Sequence, residues 1–367
     1  MPLGLDEVLR DHWRDFARRH ASRLGDAHHR GARAVMPCRT PALGGHIWRC
    51  GCHHHHVHYA YHSCNHRSCP QCGALDQQKW AATQEARLLP GVPYFLVTLT
   101  VPDALRGLCK LEPAILYDLL LRESAGALKD LCATKLGGVP GFTTVLHTWG
   151  RQMQHHPHVH VVIPAVVLDK RGKVARFPDK PDFLIHGTPL ATRFRNRLEL
   201  ALKTDHPQLH SLLLEQHPQV FAGKWVADVR HTGSGRPALR YLARYVFRSA
   251  LGPGRLLGYD KSGNIRLLCH ESGTNRPHVI TLGVDDFLKR WLTHVLPQGF
   301  VRVRHHGWMS GAARKTRLLV RALVSGELDE PEPVLPEPPV PRCPHCGAEM
   351  KLVAVIHVRG PPTFPSS

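Results

Sequence analysis

The stretch His156-Pro157-His158-Val159-His160-Val161-Val162-Ile163 decides which fold this sequence can form. Alternate residues of a β-strand face the same side of a sheet. His158 and His160 therefore point one way, while Val159 and Val161 point into a core. The stretch predicts a buried strand that carries two prealigned imidazoles on one face.

A second strand-like stretch, Phe142 to Trp149, precedes these histidines, and the short gap between the two suits a hairpin. In such a hairpin His147 lies opposite His158, with side-chain origins about 5 Å apart. Three imidazoles then surround one divalent ion, Mg²⁺ or Mn²⁺, and leave positions open for a phosphate oxygen. His156 is the alternative third ligand.

Strands and helices alternate through the rest of the chain. Further strands are predicted at residues 94–101, 158–168, 224–230, 265–269 and 278–282. Helices are predicted at residues 5–24, 74–89, 113–132, 190–203, 209–216, 237–250 and 284–295. This order, with at least one hairpin, indicates an α+β fold with an antiparallel sheet more than a doubly wound parallel sheet. The sequence contains no glycine-rich phosphate loop or dinucleotide-binding fingerprint.

The stretch from Arg240 to Arg248 carries tyrosines and arginines at helical spacing. Tyr241 and Tyr245 are four residues apart and share one face of a helix. Arg240, Arg244 and Arg248 repeat beside them and are predicted to contact DNA. A phenol becomes an effective nucleophile only when a base, a cation or a metal-polarised phosphate assists it. Two tyrosines on one face would permit two successive transfers, whereas a purely structural helix would use them in its core.

The charge of the chain points to a polyanionic partner. It has 48 Lys and Arg against 29 Asp and Glu, a formal net charge of +19. Such a balance favours nucleic acid or an anionic surface over a small neutral substrate. The longest apolar run, 161–168, is too short to span a membrane, and no secretory signal is found. We expect a cytoplasmic, nucleoid-associated protein without a membrane partner, whose cysteines are thiols or metal ligands.

Residues 38–72 are rich in Cys, His and Gly and poor in aliphatic side chains, so a metal ion is expected to hold this segment together. Cys69-Pro70-Gln71-Cys72 is a knuckle whose two thiolates can bind one tetrahedral zinc ion. Its partner pair is either Cys50 with His53, which has the commoner spacing, or Cys50 with Cys52.

Cys38 and Cys64 are further candidate zinc ligands in this segment. The segment can complete one site with spare ligands, or two sites if histidines join. A closed zinc site is structural. Its expected use is to orient basic residues, among them Arg67, toward DNA.

Residues 327–341 are acidic and rich in proline, which predicts an extended linker. Behind them, Cys343-Pro344-His345-Cys346 looks like half of a zinc ribbon. Three interpretations are open: a degenerate knuckle, a site completed elsewhere in the fold by residues such as Cys269 or His270, and a site shared with a second chain.

Three of these motifs together carry a resemblance. The segment Ser63 to Cys72, the pair His158-Val159-His160 and the pair Tyr241-x3-Tyr245 resemble the two-tyrosine HUH transposases of the insertion sequence 91 family. The similarity extends over most of the chain and includes residues 146–150, 294–300 and 304–307. One departure is visible: Cys50-Gly51-Cys52 is tighter than the Cys-x2-Cys of the family, which favours His53 over Cys52 as a ligand.

The resemblance implies a strand transferase that acts on single-stranded transposon ends by a rolling-circle-like route. It implies that His158 and His160 bind the catalytic metal and that Tyr241 and Tyr245 form 5′-phosphotyrosine links. On this basis the chain divides into a zinc-binding module with a basic helix (1–90), a central antiparallel-sheet HUH nuclease domain with a C-terminal helical part (91–325), an acidic linker (326–342) and a tail with the lone knuckle (343–367).

Three other functions compete with this interpretation, one of them a hydrolytic metalloenzyme, which would release free 5′-phosphate and form no covalent adduct. A plasmid replication initiator or relaxase of the HUH class would perform the same chemistry. A zinc-dependent DNA-binding regulator would perform none. A covalent protein–DNA product distinguishes an enzyme of either kind from the regulator.

Overall fold

A computed structural model of the chain describes residues 3–52, 55–176, 184–247, 249–271 and 274–358, and only the backbone of residues 175, 176 and 245. The α+β fold with a central antiparallel sheet is confirmed. The helices are α1 (Leu5–Arg19), α2 (Asp26–Val35), α3 (Ala74–Ala86), α4 (Leu105–Leu111), α5 (Pro113–Leu136), α6 (Gly187–Asp205), α7 (Pro207–Gln216), α8 (Arg236–Phe247), α9 (Val284–Leu292) and α10 (Arg314–Ser325). Within the described ranges, none of them is both long and apolar enough to cross a membrane.

The strands are β1 (Gly45–Arg49), β2 (Val57–Tyr61), β3 (Tyr94–Thr100), β4 (Gly138–Pro140), β5 (Phe142–Trp149), β6 (His155–Pro164), β7 (Val166–Asp169), β8 (Val174–Arg176), β9 (Val226–His231), β10 (Leu256–Tyr259), β11 (Ile265–His270), β12 (Pro277–Leu282), β13 (Val303–His306) and β14 (Lys351–Ile356). The central sheet has the strand order β13-β5-β6-β3-β9. All neighbouring strands in it are antiparallel. The predicted hairpin is therefore the middle of the sheet rather than its edge.

The two faces of the central sheet bury different cores. Val159 and Val161 of β6 pack on one face with apolar residues of α4, α5 and α6. On the other face Val162 packs with Leu239 and Leu242 of α8. Apolar residues of β6 therefore pack on both faces of the sheet. His158 and His160 lie on the face that α8 covers.

The N-terminal part of the chain and the end of the chain share a second sheet. Its strand order is β14-β1-β2, so a strand from the tail lies beside the first strand of the protein. Strand β14 was not predicted from the sequence, because it is short, partly exposed and separated from β1 by about 300 residues. The N-terminal module and the tail, which lie at opposite ends of the sequence, therefore contact each other in the fold.

Helix α9 attaches the N-terminal segment to the rest of the molecule. Phe287 and Trp291 of α9 are buried in one core cluster with Leu9 and Phe16 of α1. The indole Nε1 of Trp291 also donates a hydrogen bond to the carbonyl of Ser68 at 3.1 Å. The cysteine-rich segment is thus fixed to a helix that lies more than 200 residues further along the chain.

The acidic segment after α10 is extended and mostly exposed, as the composition predicts. Its beginning is held by two ion pairs to buried arginines of α10, Arg317 with Glu330 and Arg321 with Glu327. The linker therefore starts from a fixed position on α10.

We expect His294 to make the protein sensitive to acid. Burial lowers the pKa of this imidazole to about 4, and its Nε2 lies 2.9 Å from the carbonyl of Met153. The unfolded chain, with a histidine pKa near 6.5, binds more protons between these values, so the free energy of unfolding falls as the pH drops through that window. His294→Gln keeps a hydrogen-bond donor without titrating. Between pH 7.5 and pH 5 the free energy of unfolding of His294→Gln should fall less than that of the wild-type protein, by on the order of 2 kcal/mol.

Urea unfolding at both pH values measures this difference. The matched control is His58→Gln, which changes an exposed histidine and should follow the wild-type pH profile. An equal loss of stability in His294→Gln and in the wild-type protein would contradict the prediction.

Candidate functional site

The pairing of β5 with β6 places the histidines. In this register His147 is opposite His158, and β3 places Thr98 opposite His160 on the other side of β6. His147, His158 and His160 are all buried, and their ligand nitrogens lie within 4.8 Å of one another. The hairpin argument made from the sequence is confirmed in its register, and it brings three imidazoles together.

The nitrogen atoms of this histidine cluster have the spacing of metal ligands. His147 Nδ1 lies 2.8 Å from His158 Nε2, which lies 3.1 Å from His160 Nε2. Nitrogens bound to one ion at about 2.1 Å are themselves about 3.0–3.4 Å apart. The three side chains therefore fit a divalent ion.

His156, the alternative third ligand, points elsewhere. Its Nδ1 is 3.0 Å from a guanidinium nitrogen of Arg106, and it is not part of the cluster of converging nitrogens. Its backbone carbonyl instead lies 2.8 Å from Nδ1 of His158. The geometry of the cluster thus favours His147 over His156 as the third candidate ligand.

Two hydrogen bonds outside the cluster orient its imidazoles. The contact between His158 Nδ1 and the carbonyl of His156 requires a proton on Nδ1, which leaves the Nε2 lone pair directed at the cluster centre. Thr98 Oγ1 lies 3.0 Å from Nδ1 of His160 and orients that ring, and its hydroxyl accepts from Nδ1 when His160 carries its proton there. Outer contacts of this kind set the tautomer and raise the basicity of metal-binding histidines. Sequence reasoning missed Thr98, because only the β3–β6 register reveals it.

The three imidazoles are neutral at physiological pH. Burial lowers the pKa of His158 to about 4 and those of His147 and His160 well below the ordinary 6.5. The neighbouring imidazoles lower the values for His147 and His160 further. A metal ion therefore finds free lone pairs at neutral pH, without competition from protons.

Tyr241 lies beside the histidine cluster. Its ring centre is 5.8 Å from that of His160, in an edge-on arrangement, and the guanidinium of Arg244 lies 5.8 Å from the Tyr241 ring. Helix α8 also includes Tyr245, one turn further on, but its side chain lies outside the described residues. Arg248 lies outside them as well.

The other two predicted DNA contacts have partners within the protein. Arg240 forms an ion pair with Glu85 of α3, with Nε 2.8 Å from Oε1, although most of its side chain is exposed. Arg67 donates a hydrogen bond from Nη1 to the carbonyl of Phe300 at 2.9 Å. Both arginines therefore also join separate parts of the fold.

Arg302 is a buried cation that sequence reasoning did not single out. Its guanidinium lies 5.5 Å from the ring of Trp149 and donates a hydrogen bond to the carbonyl of Val246, in α8, at 3.2 Å. Burial lowers its pKa to about 10, and its charge contributes to the lowered pKa of His147. A lone arginine in an irregular stretch carries no sequence signal, so only the fold brings it to the site.

Four cysteines of the N-terminal segment form a compact thiol cluster. Cys38 Sγ lies 3.5 Å from Cys72 Sγ and 3.6 Å from Cys69 Sγ, and Cys64 Sγ lies 3.6 Å from Cys72 Sγ. Four sulfurs around a tetrahedral zinc ion are about 3.8 Å apart. The donors thus fit a closed zinc site, in which two cysteines that the sequence offered only as further candidates complete the knuckle.

Cys50 and Cys52 lie elsewhere, which corrects the pairing inferred from spacing. Both belong to a second group with Cys346, so Cys50 is not the partner of Cys69 and Cys72. The local pair of Cys50 with Cys52 does form, but its further partner is Cys346 from the other end of the chain rather than the knuckle of Cys69 and Cys72. His53 lies outside the described residues.

Comparison with known proteins gives consistent matches. Residues 141–317 match the family described as "Putative transposase", and residues 8–101 match the family described as "Transposase zinc-binding domain". The "Putative transposase y4qJ" of Sinorhizobium fredii (strain NBRC 101917 / NGR234) is 32% identical over 330 residues, 85% of this chain and 81% of that protein. The "Transposase for insertion sequence element IS801" of Pseudomonas savastanoi pv. phaseolicola is 28% identical over 348 residues, 88% of this chain and 82% of that protein. No solved structure matches the chain significantly.

Removal of one thiolate from the first cysteine cluster should release its metal. Cys72→Ala leaves three sulfurs, too few to close a tetrahedral site, so the variant should bind one zinc fewer per chain and unfold at a clearly lower temperature. Atomic emission spectroscopy and thermal unfolding measure the two effects. Cys132→Ala, which truncates a buried cysteine of α5, is the matched control and should keep its full zinc content. Equal zinc in both variants would refute the site.

Thr98→Val tests the outer contact of His160. Valine keeps the shape of threonine but cannot hydrogen-bond to Nδ1, so the affinity of the histidine cluster for Mn²⁺ should fall by roughly 10- to 100-fold. Thr143→Val is the matched control, because it removes a similar hydrogen bond to His305 on the neighbouring strand. Isothermal titration with Mn²⁺ measures the affinity of both variants. An unchanged affinity in Thr98→Val would show that His160 does not need this contact.

Proposed function

The chain belongs to the insertion sequence 91 family of transposases, and we propose that it cuts and joins single-stranded DNA at the ends of its element through tyrosine–DNA links. One observation carries this proposal. Tyr241 lies against a buried cluster of three neutral histidines, at a ring distance of 5.8 Å from His160. A nucleophile beside a metal-binding cluster is what phosphoryl transfer through a tyrosine requires.

In the proposed reaction the hydroxyl oxygen of Tyr241 attacks the scissile phosphorus in line with the leaving oxygen. The bond to the 3′ oxygen breaks, which leaves a free 3′-hydroxyl and a 5′-phosphotyrosine, and the phenolic proton goes to solvent or to a nearby base. Tyr245 is proposed to form the second link. Because each phosphodiester is exchanged for another ester, the reaction needs no nucleotide triphosphate.

His147, His158 and His160 would hold a divalent ion in this reaction. When bound, the ion supplies Lewis-acid polarisation of the phosphate. Of the two ions predicted from the sequence, imidazole donors favour Mn²⁺, since Mg²⁺ binds preferentially to oxygen and follows Mn²⁺ poorly into nitrogen sites. Arg244 would stabilise the developing phenolate, because its charge lies over the Tyr241 ring.

The basic surface is proposed to bind the strand. With a net charge of +19 the affinity for DNA should depend strongly on salt. We propose that residues 91–325 carry the catalysis and that residues 1–90 orient the DNA, in the cytoplasm and in contact with the nucleoid. A DNA-binding regulator without catalysis has no need of a buried histidine cluster beside a tyrosine, which argues against that alternative.

Labelled oligonucleotides test the mechanism. The full chain is incubated with Mn²⁺ and a single-stranded oligonucleotide that carries an end of its element, labelled at either terminus. We expect a protein-linked product that keeps a 3′ label and a shorter free product that keeps a 5′ label. Tyr241→Phe should lower the cleavage rate by at least about 10³-fold, because only the attacking oxygen is lost.

Tyr245→Phe is expected to allow one cut and to prevent completed strand transfer. Tyr59→Phe, at an exposed tyrosine of β2, is the matched control and should behave as the wild-type protein. Free 5′-phosphate ends without a protein-linked product would indicate hydrolysis and would overturn the proposal.

A further inference from the structure

A second group of cysteines joins the two ends of the chain. The sulfurs of Cys50, Cys52 and Cys346 lie within 4.8 Å of one another, and Cys50 Sγ is 3.5 Å from Cys346 Sγ. Cys343 forms a Cys-x2-Cys knuckle with Cys346, and its sulfur lies 3.5 Å from Nδ1 of His56. Two short thiol pairs from opposite ends of the sequence therefore meet at one point.

The backbone fixes this meeting point. Strands β1 and β14 are antiparallel, and their last pair at this end is Arg49 with Lys351. Cys50 follows β1 directly, and the knuckle lies a few residues before β14. Because the strands are antiparallel, the residues after β1 and the residues before β14 lie at the same end of this strand pair. The sheet therefore brings the two cysteine segments together.

Both turns have hydrogen bonds that present the sulfurs. The amide of Cys50 donates to the carbonyl of His56 at 3.1 Å and closes the loop that carries Cys50 and Cys52. In the tail, the amide of Gly347 donates to the carbonyl of Cys343 at 2.9 Å, and the amide of Cys343 donates to Ala348 at 2.9 Å. Gly347 has a φ of +71°, which glycine adopts without strain and which lets the knuckle turn tightly.

The burial and the ligand types of this cluster are typical of a structural site rather than of a reactive one. Cys50 and Cys343 are buried with Met350 in a small apolar group against Trp48, whereas Cys52 and Cys346 are exposed. No carboxylate is part of the group of converging ligands in the described residues. Three sulfurs converge, and Cys343, the other cysteine of the knuckle, is buried beside Cys50 and is the nearest further thiol. Four thiolates would make the donor set of a closed zinc site.

We propose that Cys50, Cys52, Cys343 and Cys346 bind a second zinc ion, which fastens the tail of the chain to its N-terminal sheet. Each thiol that binds gives up its proton to solvent, so four Zn–S bonds replace four S–H bonds. This site lies partly outside residues 8–101, which match the zinc-binding domain, and it is separate from the four-cysteine cluster of Cys38.

The second zinc ion would also fix the far end of the acidic linker. The linker begins at the ion pairs with α10 and ends at the knuckle, so zinc turns it into a loop anchored at both ends. Val334 and Pro336 of this loop line a cavity of about 590 Å³ together with Tyr241 and Arg244. The zinc site would therefore hold a proline-rich strap beside the proposed nucleophile.

Zinc content measured on the full chain tests the site. All variants are made in a His158→Ala background, so that zinc in the histidine cluster is not counted. We expect two zinc ions per chain in this background, one in Cys346→Ala, one in Cys72→Ala and none in the combination of the two. Cys132→Ala, the control used for the first cluster, should keep both.

Two zinc ions retained in Cys346→Ala, or a single zinc ion in the background protein, would overturn the proposal. Should Cys346→Ala fail to fold, the exposed Cys52→Ala gives the same test with the same expected loss of one ion. His56→Ala addresses the fourth ligand, because His56 Nδ1 lies 3.5 Å from Cys343 Sγ. Loss of zinc in His56→Ala together with full retention in Cys343→Ala would remove Cys343 from the site.

Hydrogen–deuterium exchange tests the fastening itself. In the zinc-loaded protein the amides of β14 should be protected by their pairing with β1, and in Cys346→Ala they should exchange at least 10-fold faster. The amides of β5 and β6 should exchange equally in both proteins and serve as the internal control. Equal exchange of β14 in both proteins would show that the tail does not depend on zinc.

Discussion

Antiparallel pairing of β5 with β6 is the constraint on which the rest of the site depends. Because side chains alternate along a strand, a slip of β6 by one residue in this pairing would move His158 and His160 to the opposite face, into the apolar core, and separate them from His147 on β5. Val159 and Val161 prevent that slip, since their burial against α4, α5 and α6 defines which face looks inward. The same packing that stabilises the sheet therefore sets the position of the donor atoms.

Burial of this cluster has an electrostatic consequence. The histidines stay neutral, so a bound divalent ion would bring its full charge into a region that already holds the buried guanidinium of Arg302. Like charges in a low-dielectric region repel each other, and the arrangement is costly until an anion arrives. A DNA phosphate would relieve this repulsion. The site is thus better adapted to an ion that binds together with phosphate than to an ion held alone, and a chain with a net charge of +19 favours the arrival of that phosphate.

Sequence patterns defined the features that depend on neighbours along the chain. The α+β class, the β5–β6 hairpin and the position of His147 opposite His158 all follow from alternation and short spacing. Features that depend on contacts between distant segments could not be predicted from the sequence. Strand β14 and the contact of Cys50 with Cys346 arise from a pairing across some 300 residues, which short spacings along the chain do not reveal. Thr98 and Arg302 were also missed, because neither belongs to a motif and only the fold brings them to the histidine cluster.

The donor types separate the roles of the three clusters. Thiolates bind zinc in closed tetrahedral sets, and a set of four leaves no position for substrate, so such clusters can hold a fold but cannot polarise a phosphate. Three imidazoles leave positions open and bind the ion less tightly, which permits contact with DNA. In this chain the clustered cysteines lie in the N-terminal module and the tail, and the three clustered histidines lie in the middle of the central sheet. Zinc in the cysteine clusters would hold distant segments together, whereas the central sheet supplies the rigidity that positions the ligands of a reactive site.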